Sequence, residues 1–177
     1  NKDKVERASR IFKERGVNVA FFPEFCLSGY FWEDEDACWE YMNQAVTENH
    51  LDWIDERLRP MLDDSFRAIV LNNIRRGPGR KFLNTTFIVA REIDDPLAPE
   101  YSYDKVFLPG IEKTYSESGR DDRLIVTAKS GQGKIGFTTC YDFLFNDLLR
   151  EYAVVDEVDA IVELASWRAA ATRDYPG

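Results

Sequence analysis

The sequence contains very little histidine or cysteine. Its 177 residues include one histidine, His50, and three cysteines. A histidine-rich metal site is therefore excluded, and a Ser-His-Asp triad would have to use His50 as its base. The three cysteines are an odd number and lack metal-ligand spacing, which fits reduced thiols better than a disulfide framework. We therefore expect a cytoplasmic protein without a metal site.

Basic charge and long apolar runs are also scarce. The chain has 32 acidic against 23 basic side chains, which gives a net charge of −9 at pH 7. A negative chain is a poor partner for the phosphates of nucleic acids and for anionic membrane surfaces. No apolar stretch within residues 1–177 approaches the length of a transmembrane helix. We expect neither a nucleic-acid partner nor a membrane partner.

Apolar residues are plentiful enough for a core. They make up 44% of the chain, and 14% of the residues are aromatic. Helical spacing predicts helices that end near Gly16, span 35–47 and 51–63, and begin at Asp142, with Asp142 as the N-cap. Apolar runs predict strands at 17–22, 66–71, 82–90, 101–106, 123–128, 134–139 and 159–164. Helices interleaved with strands indicate an α/β layered domain.

Cys140 is the first candidate for chemistry. It stands where the strand predicted at 134–139 meets the following helix. The partial positive charge of a helix N-terminus stabilises a thiolate, which is the nucleophilic form of cysteine. A buried structural cysteine is an equally natural interpretation of the local pattern. Cys26 and Cys38 are predicted to be packing residues.

A thiol nucleophile needs a proton acceptor and a stabiliser for the oxyanion that it creates. Glu24 follows the first predicted strand and is flanked by apolar residues, so partial burial could fit its carboxyl group to accept a proton. Lys105 ends another predicted strand and could supply the positive charge. The alternative is that Glu24 simply faces water and Lys105 is a solvated surface charge.

Three segments in order resemble the Glu-Lys-Cys triad of the carbon–nitrogen hydrolase (nitrilase) superfamily. They are Phe22-Pro23-Glu24, Lys105 with the following Val106-Phe107-Leu108-Pro109-Gly110, and Thr139-Cys140-Tyr141-Asp142. Further segments are similar to other family motifs: Ser28-Gly29-Tyr30, Asn84-Thr85, Glu112-Lys113-Thr114-Tyr115 and Ala165-Ser166-Trp167. The resemblance covers nearly the whole chain, and three ordered motifs are far more specific than one.

The resemblance implies a fold and an assembly. The fold is an α/β four-layer αββα sandwich, and residues 1–177 would form a single domain that is incomplete at both ends. Family members are longer, so we expect the native start to lie upstream and further strands and a helix to follow. The family also implies a homodimer or higher homo-oligomer, formed through the helical face after Cys140, and no cofactor.

The resemblance also implies a mechanism. Glu24 would take the thiol proton, and Cys140 would attack the carbonyl carbon of a small-molecule amide. Lys105 and the backbone N–H of Tyr141 would stabilise the tetrahedral oxyanion. Glu24 would return the proton to the departing amine, and water would then hydrolyse the thioester.

Other residues around the triad receive supporting roles from the same resemblance. Glu112 would hold Lys105 or help to orient the substrate. Tyr30 and Trp167 would form walls of the substrate pocket, although aromatic residues at such positions often serve packing alone.

Two segments favour an amide or N-carbamoyl amide substrate over a nitrile. Glu112-Lys113-Thr114-Tyr115 resembles the N-carbamoyl amide hydrolases, and the segment after the nucleophile resembles the amidases. Nitrilases of the superfamily follow the cysteine with Trp-Glu, whereas this chain has Tyr141-Asp142. The amidase pattern continues with an arginine and then Phe-Pro-Glu, where this chain has Phe143-Leu144-Phe145-Asn146-Asp147. Three alternatives therefore stay open: an acyltransferase that uses the same thioester, a nitrile hydrolase, and a catalytically inactive fragment.

Overall fold

The computed structural model describes residues 1–29, 35–120, 123–127 and 133–166. The α-helices are α1 (Lys2–Glu14), α2 (Glu35–Ala45), α3 (Leu51–Trp53) and α4 (Asn146–Arg150). The strands are β1 (Val19–Phe21), β2 (Ala68–Arg76), β3 (Phe82–Ala90), β4 (Ser102–Asp104), β5 (Ile125–Thr127), β6 (Lys134–Thr139) and β7 (Ala160–Leu164). Short 3₁₀ helices occupy Thr47–His50, Arg59–Met61, Glu112–Thr114 and Cys140–Leu144, and π-helical turns occupy Ile54–Leu58 and Glu151–Val155.

Each predicted strand corresponds to an observed one, but two predicted helices differ from the structure. The helix predicted over 51–63 is broken into α-helical, π-helical and 3₁₀ pieces and ends at Met61. Pro60 lies in the last of these pieces, and proline has no N–H with which to continue an α-helical ladder. The helix predicted to begin at Asp142 begins as a 3₁₀ helix at Cys140. Gly16, with φ of 72°, follows α1 as predicted.

The strands form two sheets. The first has the order β1-β2-β3-β4, in which β1 and β2 are parallel and the other neighbours are antiparallel. The second has the order β5-β6-β7, with β5 and β6 antiparallel and β6 and β7 parallel.

The two faces of the first sheet are buried against different layers. On one face, β2 and β3 join α1 and the helical segment 47–61 in one apolar cluster. On the other face, side chains such as Val70 and Ile88 pack with Phe137 and Leu164 of the second sheet. Because successive strand residues point to opposite faces, a run such as Ile69-Val70-Leu71 serves both clusters.

The second sheet is covered on its outer face by the segment that follows Cys140. A Cβ atom built on Gly136 would lie 2.5 Å from the Tyr152 ring, so this glycine allows the helical layer to approach the sheet closely. The Tyr152 hydroxyl donates a hydrogen bond of 2.6 Å to the Phe137 carbonyl oxygen. The layers therefore run helix, sheet, sheet, helix, which confirms the predicted αββα architecture. No helix in the described ranges is long and apolar enough to cross a bilayer.

A third apolar cluster lies where β2, β3 and α2 meet. Phe25, Met42 and Ile74 are fully buried there, and Tyr115 closes the cluster. Cys38 is buried in this cluster, and Cys26 packs against the cluster under α1, as predicted for packing residues. The cluster therefore fixes the turn that carries Phe25 and its neighbour Glu24.

Candidate active site

The fold brings Glu24, Lys105 and Cys140 together from three separate strand ends. Glu24 lies in the turn after β1, Lys105 directly follows β4, and Cys140 directly follows β6. The side chains of Glu24 and Lys105 are each only 1% exposed. The interpretation of these two residues as solvated surface charges is therefore wrong.

Lys105 is held between two carboxylates. Its Nζ lies 2.9 Å from Oε1 of Glu24 and 2.6 Å from Oε2 of Glu112. Burial acts to lower the pKa of Lys105, but the charges of Glu112 and Glu24 outweigh it and raise that pKa above its usual range. Burial raises the pKa of Glu112, although Lys105 opposes the effect. The cluster thus keeps a protonated lysine in the interior.

The Cys140 thiol is hydrogen-bonded to Glu24. The backbone of Cys140 has φ of 49°, a left-handed conformation that is uncommon for a residue with a side chain and occurs often at functional sites. Burial, followed by the charge of Glu24, raises the pKa of the thiol to about 12, against the opposing charge of Lys105. The 3₁₀ helix that follows has only five residues, so its N-terminus stabilises a thiolate less than burial destabilises it.

Asp142 organises the turn that carries Cys140. The N-cap is Thr139 and not Asp142, which takes the third helical position of a capping box. The Asp142 carboxylate accepts hydrogen bonds from the backbone N–H of Thr139 (3.3 Å), the Tyr103 hydroxyl (2.7 Å) and the backbone N–H of Phe107 (2.7 Å). Asp142 therefore joins the segment after Lys105 to the turn at Cys140.

Two asparagines complete the buried network around the carboxylates. Asn84 donates to Glu24 and to Glu112, and Asn72 donates to Asn84. The residue patterns do not predict the contact of Asn72 with this network. Its only signal in the sequence is an amide pair, Asn72-Asn73, inside a strand that is otherwise apolar up to Ile74.

This geometry is accompanied by similarity to known proteins. The sequence profile of the family described as carbon-nitrogen hydrolase matches residues 1–174. The chain belongs to the carbon–nitrogen hydrolase family. A curated relative named nitrilase, from Talaromyces marneffei, is 26% identical over 163 residues, which cover 87% of this chain and 47% of the relative.

Solved structures of other proteins share the fold of this carbon–nitrogen hydrolase chain. An amidase of the nitrilase superfamily from Nesterenkonia matches with a TM-score of 0.73 at 22% identity, over 97% of this chain and 60% of the amidase. A glutamine-dependent NAD⁺ synthetase from Acinetobacter baumannii matches with a TM-score of 0.72 at 17% identity, over 94% of this chain and 29% of the synthetase. The chain therefore spans about half of the curated relative and less than two thirds of these structures.

Of the other predicted site residues, the structure describes Glu112 and Tyr141 but not Tyr30 or Trp167. Glu112 lies in the cluster, in the 3₁₀ helix Glu112–Thr114. Tyr141 follows Cys140 and is half-buried, with its ring 5.3 Å from that of Phe145 in an edge-on contact. Tyr30 and Trp167 fall outside the described residues. Within the described ranges, no group of three His, Cys, Asp or Glu side chains could hold a metal ion.

Proposed function

We propose that this chain carries the site of a cysteine-dependent hydrolase that cleaves the C–N bond of a small linear amide or N-carbamoyl compound. The observation that carries the proposal is the buried cluster in which a thiol contacts a carboxylate and that carboxylate is paired with a lysine. A nucleophile, a proton acceptor and a fixed cation are what attack on an amide carbonyl requires.

The first step couples proton transfer to attack. Because the pKa of the Cys140 thiol is raised to about 12, the thiol is neutral near pH 7 and does not attack as a preformed thiolate. Its proton passes to Glu24 while Sγ forms a bond to the carbonyl carbon and the C=O π electrons move to oxygen. Lys105 has three N–H donors, and two of them face Glu24 and Glu112. In the proposed reaction the third donates to the oxyanion, together with the backbone N–H of Tyr141.

The second half of the reaction releases both products. The oxyanion reforms the C=O bond as the C–N bond breaks, and protonated Glu24 gives its proton to the departing nitrogen. The acyl group remains on Sγ as a thioester. Glu24 then removes a proton from a water molecule, which attacks the thioester carbon, and the acid leaves as the thiol recovers its proton.

A relative offers a chemical precedent. A solved structure of a Nesterenkonia amidase mutant is described as showing covalent addition of the acetamide moiety of fluoroacetamide at the active-site cysteine. The corresponding nucleophile of our proposal is Cys140. That adduct is a thioether, formed as fluoride leaves, and it supports a nucleophilic cysteine with room for an acetamide-sized group beside it.

The test is to follow ammonia release by the full-length protein from small amides and N-carbamoyl amino acids, with intact-mass measurement of the enzyme. We expect Cys140→Ala and Glu24→Gln each to abolish turnover, because acylation needs both the thiol and its proton acceptor, and we expect an acyl adduct on wild type that is absent from Cys140→Ala. Cys26→Ala is the matched control, because Cys26 packs against the core under α1 and should leave turnover unchanged. Turnover that survives in Cys140→Ala would contradict the proposal.

Nitrile hydrolysis is a second candidate, since the Talaromyces relative is named a nitrilase. Small nitriles assayed beside the amides separate the two, because amide turnover without nitrile turnover favours our first proposal. Adding an amine such as hydroxylamine tests acyl transfer from the same thioester. A transferred acyl product in place of the acid would identify an acyltransferase.

A further inference from the structure

The amide of Asn84 lies between the two carboxylates of the cluster. Its Nδ2 donates a hydrogen bond of 2.8 Å to Oε1 of Glu24 and one of 2.6 Å to Oε1 of Glu112. Lys105 bridges the same two carboxylates through Nζ. Two groups therefore hold Glu24 and Glu112 in a fixed arrangement. Asn84 does so as a neutral donor, and Lys105 does so as a cation.

The direction in which the Asn84 amide faces is set by a backbone group outside the cluster. The N–H of Phe25 can only donate, and it lies 2.9 Å from Oδ1 of Asn72. Asn72 must therefore turn its Nδ2 the other way, where it donates to Oδ1 of Asn84 (2.8 Å) and Oγ1 of Thr86 (3.0 Å). Asn84 is left with both N–H groups facing the carboxylates.

This polarity matters because of the charge in the cluster. Glu24 and Glu112 carry two negative charges when ionised, against the single positive charge of Lys105, and all three side chains are almost completely buried. Asn72 and Asn84 are fully buried as well. Buried ionised carboxylates are stabilised by hydrogen-bond donors. The Asn84 amide donates to both carboxylates without adding charge.

We infer that Asn84 is a positioning residue for the proposed reaction, and that Asn72 fixes its orientation. Asn84 donates a hydrogen bond to each carboxylate and holds Glu24 where it can take the proton of Cys140. The inference rests on the proposed function for its catalytic meaning, but the hydrogen-bonding arrangement does not depend on turnover.

The groups around Glu112 shift its pKa in opposite directions, and Asn84 is one of those that lower it. Lys105 and Asn84 lower the pKa of Glu112, whereas burial and the charge of Glu24 raise it. Cys140 and Tyr115 are further titratable groups that interact with Glu24. Loss of the Asn84 donor removes stabilisation from the charged form of Glu112, so the pKa of Glu112 should rise.

The test compares the pH dependence of full-length wild type and Asn84→Ala. We expect the acid limb of kcat/KM to move to higher pH by about one unit. Losing a charge-assisted hydrogen bond to a carboxylate raises the pKa of that carboxylate by about this amount. We expect kcat to fall by roughly ten- to a hundredfold with a smaller change in KM, because Asn84 acts on proton transfer. The acid limb of Cys140 alkylation by iodoacetamide should move in the same direction.

Asn73→Ala is the matched control, because Asn73 is an equally buried amide on β2 whose partners are Ser28, Ala45 and Thr47. We expect it to lower the thermal midpoint and leave both acid limbs in place. Asn72→Ala should shift both acid limbs in the same direction by a smaller amount. It replaces Asn84→Ala as the test variant if Asn84→Ala does not fold.

Acid limbs of Asn84→Ala that superimpose on those of wild type would overturn the inference. The alkylation measurement needs no amide turnover. An enzyme that turns over no amide therefore contradicts the proposed function, while alkylation still decides the role of Asn84.

Discussion

At the scale of single residues, Lys105 is the group on which the buried charges depend. It is the cation shared by Glu24 and Glu112, and none of the three has more than a few per cent of its side chain exposed. A buried ion pair is weak as a source of net stability, but removal of one partner leaves an uncompensated charge. Removal of the lysine should therefore lower the free energy of unfolding more than the intact cluster raises it.

We expect Lys105→Met to lower the free energy of unfolding by about 3–5 kcal/mol, because two buried carboxylates lose their cation. Urea unfolding followed by circular dichroism measures the change. The double variant Lys105→Met/Glu112→Gln should recover part of the loss, since it removes one of the stranded charges. Lys113→Met, at an exposed lysine, is the control and should change the free energy by less than about 0.5 kcal/mol. Equal effects at both positions would contradict the buried charge cluster.

The thiol of Cys140 gives a pH-dependent prediction. Thiolate absorbance, taken as the difference between wild type and Cys140→Ser, should show no step near neutral pH and should rise only toward a pKa of about 12. The folded value lies above the ordinary 9.0, so the thiol stabilises the protein fully below about pH 9 and this contribution is lost as the pH rises toward 12. A step below about pH 8 would show a preformed thiolate instead.

At the scale of elements, the capping box after β6 connects two parts of the site. Asp142 accepts hydrogen bonds from the turn that carries Cys140 and from the backbone two residues after Lys105. The rings of Phe107 and Phe145 stack 3.7 Å apart between the same two segments. These contacts therefore fix the position of Lys105 relative to Cys140, although 35 residues separate Phe107 from Asp142.

We expect Asp142→Ala to lower the free energy of unfolding by about 2–4 kcal/mol, because a helix cap and buried hydrogen bonds are lost together. Tyr103→Phe removes one of these bonds and should lower it by about 1 kcal/mol. Chemical denaturation of both variants and of Asp147→Ala, at an exposed acidic residue of α4, measures the difference. A loss in Asp142→Ala no greater than in Asp147→Ala would contradict a connecting role.

At the scale of the whole molecule, the segment after the nucleophile carries exposed apolar side chains. Phe143, Leu144, Val154 and Val155 are between 42% and 63% exposed. Contiguous apolar surface is typical of a contact with another protein, and these side chains form two adjacent pairs in one segment of the chain. They lie in the segment through which the family resemblance predicts self-association.

We expect the full-length protein to be a homodimer or a higher homo-oligomer, and Leu144→Glu/Val154→Glu to dissociate it because charges would be buried at the contact. Light scattering after size-exclusion chromatography measures the mass, and circular dichroism checks that the variant stays folded. A wild-type monomer at micromolar concentration, or a variant with unchanged mass, would contradict this prediction.

The sequence by itself determined the strands, the layered class and the order of the motifs. Apolar runs such as Val17–Phe22 and Phe82–Ala90 mark strands because backbone periodicity is a local property of the chain. The motif order Glu24, Lys105, Cys140 was predictable for a similar reason, since each motif is a continuous stretch of only a few residues. The break in the helix predicted over 51–63 and the N-cap at Thr139 were missed, because both depend on hydrogen bonds that propensity does not fix.

The tertiary structure alone decided how these residues act on one another. Glu24 meets Asn84 across 60 residues and Lys105 across 81, so only the sheet order brings their side chains together. Burial then raised the pKa of Cys140 and placed Glu24 and Lys105 in the interior. Desolvation and hydrogen-bond direction depend on what surrounds a group in space, and a sequence pattern records only what surrounds it along the chain.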